Sequence, residues 1–230
     1  MGLYEAKQHK EAMAKAEALV KVFPRFHGTY NIAGVILAEV GQWNNAIKAY
    51  HQALGLKPDF ADAHYNYAIA LDHLKRTDEA ITSYRNAIKA DPTYAEAYDS
   101  LGKCLRQKGM VDEAISCFRR AIEINPNLIK PHLVLGALTT YKVGDPAIDK
   151  LKFLLEDIKG DDESKAGLYF GLAKAYEDIG DVDTTIKYLR SGNTVRKEQG
   201  DYTTQMDRDL NEDIKSYFPS VDLSRFSAAP

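Results

Sequence analysis

Four groups of side chains in this sequence have the types, though not yet the spacing, to do chemistry. The stretch RSGNTVRKEQGDY, residues 190–202, sets Arg190, Arg196 and Lys197 between Gly192 and Gly200, the residue types from which anion-binding loops are built. A phosphate loop needs Gly-x4-Gly-Lys-Ser/Thr, and a dinucleotide fingerprint needs its glycines between a strand and a helix; the chain has neither. The six histidines are scattered, and no His-x3-His or Cys-x2-Cys pair offers metal-ligand spacing. His64 and His132 read as packing residues. Cys104 and Cys117 read as small core or half-buried residues, because a nucleophilic thiolate wants a base beside it and none is signalled. The acidic run EDIKGDDES, residues 156–164, lacks the alternating Asp/Asn and distal Glu of a calcium loop and reads as a solvated connector. These residues predict no catalysis, no metal and no cofactor.

Composition narrows the class of partner. A formal charge of −3 disfavours nucleic acid, whose phosphates call for a basic excess or stripe. No apolar run is long enough to span a membrane, and MGLYEAKQHKEAMAKAEALV mixes charges where a signal peptide would be apolar. Two cysteines are too few for a disulfide scaffold. The expected location is cytoplasmic.

What must position any site is a repeat. Ala46, Ala80 and Ala114 lie 34 residues apart, as do Tyr50, Tyr84 and Phe118; Ala53, Ala87 and Ala121; and Pro58, Pro92 and Pro126. Upstream of each set, Gly34, Ala68 and Gly102 keep the same step. Small and apolar residues recur at three- and four-residue intervals in both halves of a unit, which predicts two amphipathic helices. Gly41 and Gly109 suit the turn between the halves, and the prolines stop the second helix. One such pair cannot bury its own apolar face, so pairs must stack.

This pattern of aromatic, Leu-Gly-like pair, central Ala, aromatic, Ala and Pro resembles the tetratricopeptide repeat, most fully at residues 27–60, 61–94 and 95–128. The resemblance implies an all-α fold: a right-handed α-solenoid of stacked antiparallel helix pairs. Residues 1–26 read as the end of an earlier unit that lacks most of its first helix, as though the chain were cut from something longer. Residues 129–162 and 163–200 read as degenerate units, together making an array over residues 1–200. In the first of these the turn is expected to be shortened, so that Ala147 arrives early, with Asp145-Pro146 as N-cap and first-turn proline. In the second, Thr185 takes the place of the central alanine, Arg190 to Lys197 continue the last helix, and Gly192 is a packing position. Tyr202, Met206, Leu210, Ile214 and Phe218, spaced by four, predict a capping helix over 201–218, with 219–230 as tail or linker.

The resemblance also implies where a ligand lies: in the concave groove lined by the first helix of each unit, which makes the chain a non-catalytic protein-interaction scaffold for a peptide or protein segment. Carried onto this chain, the groove positions are Asn31, Tyr65, Asn66, Ile69, His73, Asp99, Lys103 and Arg106, joined by Asp62, Glu96 and Ser100 and, further on, Lys130, Leu133, Val134, Ala137 and Tyr141. Asn66 could bond an extended backbone, and Lys103 and Arg106 could pair with an acidic side chain. Members that clamp a C-terminal carboxylate use Lys, Asn and Arg where this chain has Asn31, Val35, Asn66, Glu96 and Ser100; only Asn66 fits, and Glu96 would repel a carboxylate. Two further readings stand beside this one. The run FGLAKAYEDIGDVDTTIKYLRSGNTVRKEQGDY, with Gly192, Asn193 and Arg196, resembles the repeat preceding the catalytic domain in bacterial repeat-sulfotransferase proteins, which would make the chain the recognition arm of a larger enzyme. An uncovered apolar face on the first unit would instead favour self-association.

Overall fold

The computed structural model describes residues 3–198, with side chains from Lys10 onward. Every regular element among them is a helix. None is long and apolar enough to cross a membrane. The chain divides into two compact units, one ending at Pro126 and the other beginning at Asn127.

The first unit contains α1 (Leu3–Val22), α2 (His27–Glu39), α3 (Trp43–Leu56), α4 (Ala61–His73), α5 (Thr77–Ala90), α6 (Ala95–Gln107) and α7 (Val111–Ile124). The first helix of each pair starts at residue 27, 61 or 95 and the second at 43, 77 or 111, so the 34-residue period of the sequence is kept without slippage. Helices α2/α3, α4/α5 and α6/α7 pack as pairs, and α3 on α4 and α5 on α6 join one pair to the next.

Local chemistry explains both turns. After α2, α4 and α6 the chain enters the left-handed region at Gly41, Lys75 and Gly109 (φ +72°, +61° and +76°). The following N–H then donates back to Leu37, Leu71 and Leu105, each at 2.9 Å, the C-terminal cap that uses up an orphan carbonyl. Lys75 departs from the sequence expectation, since only its two counterparts are glycine. At the other end of each pair the residue before proline is pushed out of the helical region. Lys57, Asp91 and Asn125 are accordingly extended, their N–H groups donating to Ala53, Ala87 and Ala121.

The alanines of the repeat are fully buried: Ala46, Ala80, Ala114, Ala53, Ala87 and Ala121 are each 0% exposed. Tyr50 and Phe118 fill the space over Gly34 and Gly102, where a β-carbon would collide with their rings. Burying one such ring contributes about 1.5–3 kcal/mol, and the small residue opposite is what lets it in.

The second unit contains α8 (Ile129–Leu138), α9 (Pro146–Asp157), α10 (Asp162–Asp178) and α11 (Val182–Glu198). Its core joins Tyr141, Ile148, Leu151 and Leu154 to Leu168, Leu172 and Ala175. The expectation of a shortened turn is corrected. Residues 139–145 separate α8 from α9, a longer link than residues 108–110 between α6 and α7. Helices α8 and α9 hardly touch and lean instead on α10. Tyr141, in that link, is buried and stands over Gly136 as Tyr50 stands over Gly34. A loop residue thus does what a second-helix aromatic does in the first unit. Asp145 caps α9 as expected, its Oδ1 accepting from the Ala147 N–H at 2.9 Å. Asp161, at the end of the acidic connector, caps α10 through the Ser164 N–H at 3.0 Å. The expected capping helix over 201–218 and the tail lie outside the described residues.

Candidate groove on the first helices

Six of the expected groove residues line up across α2, α4 and α6. Asn66 Nδ2 on α4 donates to Asn31 Oδ1 on α2 at 3.1 Å. One unit further, the Tyr65 hydroxyl on α4 lies near Ser100 on α6. Both contacts join residues 35 apart, so the repeat brings the fifth position of one first helix against the sixth position of the next. Asp99, beside Tyr65, pairs with Lys103 one turn along α6. It is only 9% exposed, and its Oδ1 has no hydrogen-bond partner.

The remaining expected residues are placed differently. Ile69 is half-buried on α4, and Arg106 is exposed at the end of α6. His73 stacks on Trp43 of α3, ring centroids 3.9 Å apart and planes 7° from parallel, so its ring face is already occupied. In the second unit Leu133 packs on Gly167 and Gly171 of α10. Tyr141 lies beyond the end of α8 and is buried. Tyr141 is thus off the open wall, which corrects the carry-over there, while Leu133 is half-buried on the first-helix face.

The first-helix reading missed Tyr94. This residue precedes α6, and its ring lies 4.8 Å from that of Tyr65, which also meets Tyr84 at 5.8 Å. A signal was present: Phe60, Tyr94 and Leu128 each follow a unit-closing proline by two residues. Burial, followed by the Asp62 carboxylate, pushes the Tyr94 hydroxyl well above its ordinary range. Burial raises Tyr65 too; the nearby Ser100 hydroxyl opposes this, and the Glu96 and Asp99 charges add to it.

The reactive-looking groups have structural roles. Burial pushes the Cys104 thiol up to about 12, helped by the charge of Asp72. Burial likewise lifts Cys117 to about 11, so both hold their protons at neutral pH. Among the described residues, no group of three or more His, Cys, Asp and Glu could hold a metal ion. Nε2 of His64 lies 2.8 Å from the Pro58 carbonyl, and His132 is buried. The basic run at the chain's end lies on α11. Gly192 is buried under the Phe170 ring, and the Arg196 guanidinium sits 4.7 Å from the centre of the same ring. Three cavities of the first unit lie apart from the row. One of 390 Å³ between α1, α2 and α3 is lined by Met13, Ala16, Val20, Ala33, Leu37 and Ala49. Two of 360 Å³ flank His64.

Comparison with known proteins bears on the repeat and the fold. Residues 33–95 and 95–128 match models of the tetratricopeptide repeat, so this part of the chain consists of such repeats. Over 54 residues the chain is 43% identical to the peroxisomal targeting signal receptor of Candida glabrata; the match takes in 24% of this chain and only 9% of the receptor. Among solved structures, YrrB, described as a TPR protein with an unusual peptide-binding site, is similar with a TM-score of 0.60 at 18% identity. That match covers 79% of this chain and 92% of YrrB. The APC/C hetero-tetramer Cut9-Hcn1 gives a TM-score of 0.60 at 18% identity, covering 85% of this chain and 38% of that one. MamA from Desulfovibrio magneticus RS-1 gives 0.53 at 22%, covering 64% and 84%. At these identities the likeness is one of fold.

Proposed function

We propose that the tetratricopeptide repeats of residues 33–128 make this chain a non-catalytic interaction scaffold that holds a peptide or protein segment along α2, α4 and α6. The observation that carries this reading is the pair of cross-repeat contacts on this face, the Asn31–Asn66 hydrogen bond and the Tyr65–Tyr94 ring contact. The Asn31–Asn66 bond uses one donor and one acceptor and leaves the Asn66 Oδ1 and the other amide protons of the pair for a ligand. An extended backbone offers complementary groups. The peptide-binding site named for YrrB is in keeping with this use of the fold.

The test is selection of displayed random peptides against the full chain, followed by titration of a selected, fluorescently labelled peptide. Asn66→Ala should weaken binding about tenfold, equivalent to about 1.4 kcal/mol. Affinity unchanged by Asn66→Ala and by Asn31→Ala would move the ligand elsewhere and sink the reading.

A second reading, self-association, is favoured by the apolar cavity beside α1 and by Val22, Phe23 and Phe26, which are 65%, 57% and 55% exposed. A scattering mass that stays at one chain over a wide concentration range would remove it. The sulfotransferase-arm reading rests on the likeness of its C-terminal run alone, and sulfo-transfer by the 230-residue chain would contradict its expectation of an inactive arm.

A further inference from the structure

Four groups meet where α4 and α6 begin. The rings of Tyr65 and Tyr94 lie 4.8 Å apart and 35° from parallel, half-buried, with one side left to solvent. Asp62 and Glu96, both exposed, stand in the first turns of the two helices. The Asp62 carboxylate lies close enough to the Tyr94 hydroxyl to act on its ionisation, as does that of Glu96. Among the described residues, neither Asp62 nor Glu96 has a basic partner.

The nearest basic residues on the same helix faces are far away. At about 1.5 Å of rise per residue, His73 lies roughly 16 Å along α4 from Asp62, and Arg106 roughly 15 Å along α6 from Glu96. Both distances exceed the screening length of about 8 Å at physiological salt. Lys103 is closer but is committed to Asp99.

The acids alone would be explained by the positive end of each helix dipole. That explanation does not cover the paired tyrosines. Nor does it cover the buried Asp99 next to Tyr65, whose Oδ1 goes without a hydrogen bond while its other oxygen holds Lys103. Negative ring faces beside carboxylates suit a cation. They repel the carboxylate that some tetratricopeptide repeats clamp.

We propose that Tyr65 and Tyr94, flanked by Asp62 and Glu96, form a subsite for a lysine or arginine side chain of the bound peptide. This rests on the groove reading above and specifies its partner as a basic peptide. The alkyl stem of the side chain lies across the tyrosine rings, and its charged head reaches the two carboxylates.

The experiment selects a displayed library of random twelve-residue peptides against the full chain. In parallel it uses an Asp62→Asn/Glu96→Gln double variant, which keeps side-chain shape and the fold. Peptides selected by the unaltered chain should be enriched in Lys and Arg. One of them, fluorescently labelled, should lose about tenfold affinity on the double variant and about tenfold when its basic residue becomes norleucine. The two losses should not add. Peptides that depend on Asn66 yet show no basic enrichment, or losses that simply add, would overturn the subsite and leave the groove standing. Failure to select any peptide would overturn both.

Discussion

The hydroxyl of Tyr141 occupies the space that a β-carbon on Gly136 would need. The same residue's N–H donates to Asp178 Oδ2 at 2.9 Å, so the link between α8 and α9 is pinned to α8 by its ring and to α10 by its backbone. Gly136→Ala should therefore overpack the second unit and cost about 1–3 kcal/mol, read as a lower urea midpoint. Tyr141→Phe removes the colliding oxygen and should recover part of that loss in the double variant. If the two substitutions add without coupling, the hydroxyl is not the obstacle.

Lys75 holds a left-handed conformation (φ +61°) that Gly41 and Gly109 hold at the equivalent turns. An L-residue there costs about 1–2 kcal/mol. Glycine gives back part of the gain through the entropy of the unfolded chain. Lys75→Gly should thus stabilise the first unit by up to about 1 kcal/mol, with an unchanged denaturant slope. A lowered midpoint would show that the lysine side chain makes a contact worth more than the strain.

Asp178 should give the second unit an acid-sensitive limb. Burial raises its pKa, but the Lys174 ion pair and the Tyr141 N–H outweigh burial and hold it below the ordinary carboxylate value. With the folded pKa depressed, the unfolded state binds the proton more readily. The stabilisation is complete above the usual aspartate range of about 3.9 and fades as pH falls through it toward the lower folded value. Asp178→Asn should cost about 1–2 kcal/mol at neutral pH and flatten the loss of stability below about pH 4. An acid limb as steep as before would assign the effect to other groups.

The two thiols should be slow to react. Cys117, pushed up to about 11, and Cys104, pushed up to about 12, are almost wholly protonated at pH 8. Thiol-reactive dye should modify Cys117 slowly and Cys104 more slowly still. Both should react within the mixing time once the chain is unfolded, where a free thiol has a pKa of about 8.5. Fast labelling of either in the folded protein would point to an activated cysteine.

The sequence by itself determined the repeat and the helix-pair fold. The 34-residue step of Ala46, Ala80 and Ala114 marks positions that are all fully buried. The prolines at 58, 92 and 126 each end a helix two residues earlier by a backbone rule that needs no neighbours. Periodicity is legible because every unit solves the same packing problem with the same residue sizes. It fails where the problem changes. In the second unit the aromatic over the helix glycine comes from the loop residue Tyr141, and α8 and α9 lean on α10 rather than on each other. No spacing encodes that, since it depends on which surfaces meet. The candidate site divides in the same way. The first-helix positions were legible as a set, but only tertiary contacts decided that Asn31 meets Asn66, that His73 is spent on Trp43, and that Tyr94 joins Tyr65. A side chain's partner across a helix interface is fixed by rotamer and packing direction, which a one-dimensional period does not carry.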